Sequence, residues 1–321
     1  AISKVVVREG TTLNIPLGES RQLHGDATLT DGTGPFDITT ANGTKWNSQG
    51  VGTVSVSATG VITANAAGQT TIVVTSENNK KGYLTVVVSD CGKPAVAISG
   101  STTNLPKGQM RYYSAIATYA KTGACANFAD SELQYVVTLV ASWNSTKPAI
   151  AAIDGTGKAS ALAAGTSNIS ATYKGVKSNV LVLKVVVVTL KSLSVTPAPT
   201  IDIAMGANGA VFLTVSAVWT DGANDYTDID PPVLNWTIGH STIASISGPV
   251  AGSNNRKYVL TGLKAGSTIF DGFKSGVFMN GKTSTTVNVS AACITGIAIT
   301  SPAHAAGTNM LYLPPGAPIV V

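Results

Sequence analysis

Few side chains in this 321-residue chain can do covalent chemistry: it has three histidines, three cysteines and sixteen carboxylates. Nucleophilic catalysis needs a nucleophile, a base and an orienting acid within hydrogen-bond reach of one another. His24, His240 and His304 lie far apart, and no domain-sized stretch supplies a Ser-His-Asp set around any of them. The nucleophile elbow GxSxG, the zinc helix HExxH and the phosphate-binding Walker loop are all missing. Gly206 to Gly209 has the wrong spacing for a dinucleotide fingerprint. The chain reads as non-enzymatic and without a cofactor.

Asp221, Asp225, Asp228 and Asp230, with Asn224 among them, are the one local concentration of acids. Alternating carboxylates on a loop can gather some of the oxygens that Ca2+ requires. The Gly and terminal Glu of an EF-hand are absent, however, and a solvated loop accounts for these residues more simply. Cys91, Cys125 and Cys293 lack CxxC spacing for zinc and are too few for a disulfide scaffold. Cys91 stands at the border of two repeats, and Cys125 follows the Tyr112 to Tyr119 strand. In an oxidising compartment this placement predicts a Cys91–Cys125 bridge; two buried free thiols are the alternative. Cys293 occupies a position resembling Cys91, which assigns its partner to a continuation of the chain or to another chain.

Charged residues make up only 12% of the chain while 44% is hydrophobic and 6% aromatic. That charge is about half the usual share, and disorder would need the opposite balance. No window approaches the roughly 20 apolar residues of a membrane helix, so no membrane insertion is expected. A net charge of +5 is spread over scattered basic residues, densest at Lys80-Lys81 and Arg256-Lys257. Nucleic-acid binding, which concentrates positive charge in a patch, is not expected. The start at Ala1 fits a mature N-terminus after signal removal and equally an excised fragment.

The elements that would hold any site come in repeats. An apolar-turn-Gly signal recurs at Ile15 to Gly18, Leu105 to Gly108, Ile203 to Gly206 and Leu313 to Gly316. Trp46, Trp143 and Trp236 follow at spacings of 97 and 93, and Gly68, Gly165 and Gly266, each after an Ala, at spacings of 97 and 101. Within each repeat, β-branched runs such as Thr70 to Thr75 are separated by turn signals every 8–12 residues, among them Asp31-Gly32, Thr59-Gly60, Asp154-Gly155 and Asn280-Gly281. No stretch keeps a helical period; Asn127 to Val140 comes nearest. The pattern predicts an all-β chain of tandem immunoglobulin-like antiparallel β-sandwiches, three complete and a fourth incomplete. The boundaries fall at 1–90, 91–189, 190–291 and 292–321. Each repeat's Trp is read as filling the space between sheets. Trp219, outside the repeat frame and beside a turn, is the best placed of the four to stack on a sugar.

In the second repeat, Ala141 to Ser145, Ala152-Ile153-Asp154 and Gly157 to Tyr173 together resemble bacterial immunoglobulin-like domains of the second group. The first repeat keeps the frame at Trp46-Asn47-Ser48, Thr59 to Ala64 and Ala66 to Ile72. The third keeps it at Trp236, Ala244-Ser245-Ile246 and Gly262 to Thr268, with eight residues added between Trp and Gly. The resemblance implies stalks and binding modules of surface proteins, hence an extracellular or cell-surface location.

The fourth unit repeats Ile294 to Pro302 and Leu313 to Gly316, then ends in Ile319, Val320 and Val321. Either the native polypeptide continues, or another chain supplies the missing strands. In the second case Ile294, Ile297, Ile299, Ile319, Val320 and Val321 would pair with a neighbouring subunit and join chains head to tail. The expected partner is thus the chain itself, as a homopolymer or as neighbouring domains of a longer chain. Short linkers with little Gly or Pro suggest a stiff rod acting in adhesion or as a fibre. The alternatives are a module that recognises a surface glycan or receptor through loops at one tip, and an accessory stalk of a larger enzyme or virion protein.

Overall fold

Along Lys81–Ser89 the side chains alternate between the two faces of the strand, with Leu84, Val86 and Val88 directed inward. This period-two burial is what a sheet with one solvated face requires. The same alternation appears in Ala95–Ser99 and Thr285–Ser290. The computed structural model describes residues 1–280 and 284–291. Up to residue 279, regular helix is confined to two 3-10 turns, Gly123–Cys125 and Asp130–Glu132. The Asn127 to Val140 stretch contains the second of these turns and the strand Gln134–Val136. Cys293, the strand candidates Ile294, Ile297, Ile299, Ile319, Val320 and Val321, and with them the expected fourth unit, lie outside the described residues.

Each repeat forms a β-sandwich. In the first, one face is Thr12–Pro16, Lys81–Ser89, Gly68–Thr75 and Lys45–Ser48, in that order. The opposite face is split into Ile2–Val7 with Gly25–Leu29 and Phe36–Asp37, and Ser20–Gln22 with Val61–Ala64 and Val54–Val56. The second sandwich copies this plan, pairing Leu105–Pro106, Leu181–Val186, Gly165–Tyr173 and Ser142–Ser145 in one sheet. In the third, Gly206–Thr220 runs unbroken for fifteen residues where the first two sandwiches interrupt the equivalent strand.

The interruption has a local cause. Leu23 and Tyr113 sit at the breaks, fully buried, and their amides donate to the carbonyls of Gly60 and Gly157 at 2.9 and 2.8 Å. Each of these glycines has φ near +80° and lies against the edge of the tryptophan of its own sandwich. A Cβ at position 157 would stand 2.4 Å from the Tyr113 carbonyl oxygen and 3.0 Å from Trp143. Only glycine fits there, for space and for backbone angle alike. The recurring Gly68, Gly165 and Gly266 have φ of +143°, +142° and +148°, the same backbone device at the start of three homologous strands.

By contacts the chain divides into two compact units: residues 1–189 with Asp221–Asn224, and Leu190–Thr220 with Asp225 onward. The sandwiches on either side of the expected border at 90/91 both fall in the first unit. One cluster of buried side chains, from Val5 and Ile15 through Tyr119 and Cys125 to Leu183 and Val185, runs through the first unit. The second unit has its own core around Leu213, Tyr258, Leu260 and Phe270.

Candidate functional site

The densest polar construction in the first unit lies where its two sandwiches meet, and it begins at a turn. Gly18, at φ +77°, reverses the chain after Thr12–Pro16 and donates its amide to Ala64. The next residue, Glu19, is thereby turned toward the second sandwich and is only 4% exposed. A carboxylate so buried is tolerable only when its oxygens are fully used. The Tyr119 hydroxyl donates to Oε1 at 2.5 Å, the Tyr173 hydroxyl to both oxygens at 2.9 and 3.0 Å, and Lys174 Nζ to Oε1 at 2.7 Å. Lys174 reaches this position because its own backbone takes φ +47° in the turn after Gly165–Tyr173. Its ammonium also donates to the Leu17 carbonyl and stands 5.5 Å from the ring centres of Tyr119 and Tyr173.

A second carboxylate crosses in the other direction. Glu132 accepts the Asn14 amide at 2.8 Å, the Asn14 side-chain NH2 at 3.2 and 3.0 Å, and the Ala129 amide at 2.7 Å. Beside it Arg21 donates to the Ser131 carbonyl and lies over the Tyr135 ring. Cys91, at the border between the sandwiches, is bonded to Cys125, with 5.6 Å between their α-carbons. The joint is thus held by two carboxylates pointing in opposite directions, and a covalent bond within the second sandwich lies next to the linker.

Burial raises the Tyr119 phenol well above the ordinary tyrosine value, and its hydrogen bond to Glu19 adds to the effect. Tyr173 is raised in the same way, by burial and by the charge of Glu19. Tyr135 is pushed up to about 12, mainly by burial. Below pH 10 these phenols are protonated in both folded and unfolded chains. Above it the unfolded chain ionises first, so the stability they contribute is lost as pH rises toward their folded values. Each phenol adds about 1.4 kcal/mol per pH unit to that slope. The first unit's thermal midpoint is therefore expected to fall steeply above pH 10, and Tyr119→Phe to make the fall shallower. A midpoint unchanged from pH 9 to 11 would contradict the burial of these hydroxyls.

The other candidates are dispersed. Asp225 pairs with Lys191 at 2.6 Å and Asp230 with Arg256 at 3.0 Å. Asp221 accepts the amides of Ala223 and Asn224, a local turn, and Asp228 is exposed. Among the described residues no three His, Cys, Asp or Glu side chains gather as metal ligands. Neighbours hold Asp221, Asp225 and Asp230 in turns and ion pairs. Trp46, Trp143 and Trp236 pack against the cores while remaining partly exposed. The indole N–H of Trp46 donates to the Thr39 carbonyl and that of Trp143 to the Thr138 carbonyl, and these bonds orient each ring. Trp219 packs against the second core with its indole nitrogen buried, which does not suit a ring offered to a sugar.

Sequence reading missed a charge cluster at one end of the first sandwich. Arg8 binds both Asp26 and Asp37, and Glu9 binds His24. Hydrogen bonds from Thr39, aided by Arg8, hold the Asp37 carboxyl down at about 2. The groove of about 290 Å3 between Val5–Val7 and Lys81–Tyr83 is lined by Val, Gly, Thr, Lys and Tyr, without carboxylate or histidine. Among the described residues no helix is long and apolar enough to cross a membrane.

Several known proteins are similar to this chain. Ice-binding protein 1 of Shewanella frigidimarina (strain NCIMB 400) is 27% identical over 291 residues, 91% of this chain and 29% of that protein. The chain therefore spans less than a third of that relative's length. Surface layer protein SbsC, domains 1–6, aligns over 92% of this chain and 41% of its own, at 13% identity and a TM-score of 0.36. The Escherichia coli adhesin FdeC aligns over 91% of this chain and 99% of its own, at 12% identity and a TM-score of 0.25. Residues 25–86, from the strand that carries Ala27 to the last strand of the first sandwich, match a family model and form a bacterial Ig-like domain of group 2.

Proposed function

We propose that this chain is a non-enzymatic spacer in a protein displayed at the cell surface or outside the cell, its Ig-like sandwiches holding other parts of a longer polypeptide at a distance. One observation carries the reading: the joint of the first unit, where Glu19 and Glu132 are each held by several donors and Cys91 is bonded to Cys125. A joint built this way resists bending, because any hinge motion would strip partners from buried charges. The scarcity of charge and of convergent titratable groups fits a part whose role is dimension rather than chemistry.

The test is protease treatment of intact cells of the native host, followed by mass spectrometry of the released peptides. Peptides of this chain are expected from unbroken cells. Their appearance only after lysis would overturn the surface assignment.

The likeness to Ice-binding protein 1 favours a second reading, in which the chain itself meets ice. An uncharged row, Ala97, Ile116 and Val136, crosses three strands of the second sandwich; Val136 is 78% exposed. Slow freezing of the purified chain separates the two readings. Enrichment in the ice fraction over an inert protein of equal size supports ice contact, and full retention in the liquid leaves the spacer alone.

A further inference from the structure

The three sandwiches differ in how the strand that follows their opening strand is clasped to the last one. In the first, Thr12–Pro16 runs parallel to Lys81–Ser89 with five residues in register, Thr12 against Thr85 through Pro16 against Ser89. In the third, Thr200–Ala204 runs parallel to Thr285–Ser290, again with five. In the second, the corresponding strands Leu105–Pro106 and Leu181–Val186 are in register at only two residues, Leu105 against Val185 and Pro106 against Val186. Parallel strands near opposite ends of a domain, pulled apart along their length, load all their hydrogen bonds together. Resistance to tension therefore grows with the number of paired residues, and the second sandwich has the shortest clasp of the three.

Among the described residues the second sandwich is also the one with a disulfide. Cys91 precedes its first strand and Cys125 follows the strand Ser114–Thr118, a separation of 34 residues. The covalent loop encloses Ala95–Ser99, Leu105–Pro106, Met110–Tyr112 and Ser114–Thr118. Cys125 is fully buried, so a dissolved thiol does not reach its sulfur in the folded protein.

We propose that the Cys91–Cys125 bond is a mechanical bypass. Tension entering the second sandwich from its N-terminal side passes through the two sulfurs to residue 125, and the strands inside the loop, including the two-residue clasp, contribute no extension. The bond shortens the length of chain that the most weakly clasped sandwich can release. The inference deepens the spacer reading and rests on it for its use in the cell, but the bypass is measured whether or not the chain is surface-displayed.

The experiment is force extension of single full-length chains, held by handles at the two termini, without reductant, with a phosphine reductant, and as the double variant C91S/C125S. Without reductant, one sandwich is expected to unfold with a short step. Phosphine added after that step should then produce a further extension of about 11–12 nm, which is 34 residues at roughly 3.3–3.6 Å each. In the double variant that sandwich should release the full length in one step, at a force below those of the two five-pair sandwiches. The proposal is overturned by the absence of the phosphine-dependent extension, or by a double variant whose three unfolding forces match those of the unreduced chain. The phosphine arm uses the unaltered protein, so a variant that fails to fold does not remove the test.

Discussion

Glu19→Ala lowers the stability of the first unit by about 3–5 kcal/mol, the cost of removing one partner from a buried ion pair and leaving its donors behind. The loss is large because three groups depend on this one carboxylate: the hydroxyls of Tyr119 and Tyr173 and the ammonium of Lys174. Lys174 keeps 31% of its side chain exposed and can turn partly toward water, which places the result in the lower half of that range. Glu19→Gln keeps the shape and one acceptor but sets an NH2 against Lys174, at a cost of about 1.5–3 kcal/mol. Thermal and urea unfolding measure both. A double-mutant cycle with Lys174→Ala should give a coupling above about 1 kcal/mol. Additive losses would mean that the two side chains are neighbours without being partners. Small-angle scattering of the Glu19→Ala chain should also show a broader spread of dimensions within the first unit.

The second large effect lies in the other unit. Tyr258 is 1% exposed, its ring centre 5.0 Å from that of Trp236 and edge-on to it, and its hydroxyl oxygen accepts the Leu234 amide at 3.0 Å. Tyr258→Ala removes a whole ring from the core and strands the Leu234 N–H, for about 4–5 kcal/mol. Tyr258→Phe keeps the packing and loses only the acceptor, for about 1–2 kcal/mol. Calorimetry should show the second unit's transition moving while the first unit's stays in place. Equal losses for the two variants would mean that the hydroxyl, and not the ring, holds this core.

Much of the fold was legible because it is local. The alternation in Thr70 to Thr75, the turn dipeptides and the Ala-Gly steps each determine a few neighbouring dihedrals, and repetition made them conspicuous. The Cys91–Cys125 pairing was legible from where the two residues fall among the strands. The joint was not. Glu19 meets Tyr119 and Tyr173 across 100 and 154 residues, and no periodicity reports such a distance. One signal was present. The residue after the apolar-turn-Gly landmark is Glu19 in the first repeat but Gln109 in the second and Ala207 in the third. In a chain so poor in charge, a lone acid at a landmark marks a position under its own constraint. The partners of the indole N–H groups escaped for a related reason: the bonds from Trp46 to Thr39 and from Trp143 to Thr138 depend on loop paths that spacing does not report. The unbroken Gly206–Thr220 strand likewise escaped, because composition does not announce where a strand is interrupted.

The clasp around Glu19 limits how such a protein can be rearranged. A module that ends in an ordinary loop can be cut out and grafted beside any neighbour. The first sandwich cannot, since its turn would present to a new companion a dehydrated anion with nothing to receive it. Recombination or engineering that respects this chemistry would keep the first two sandwiches together rather than cut at the border of the first two repeats.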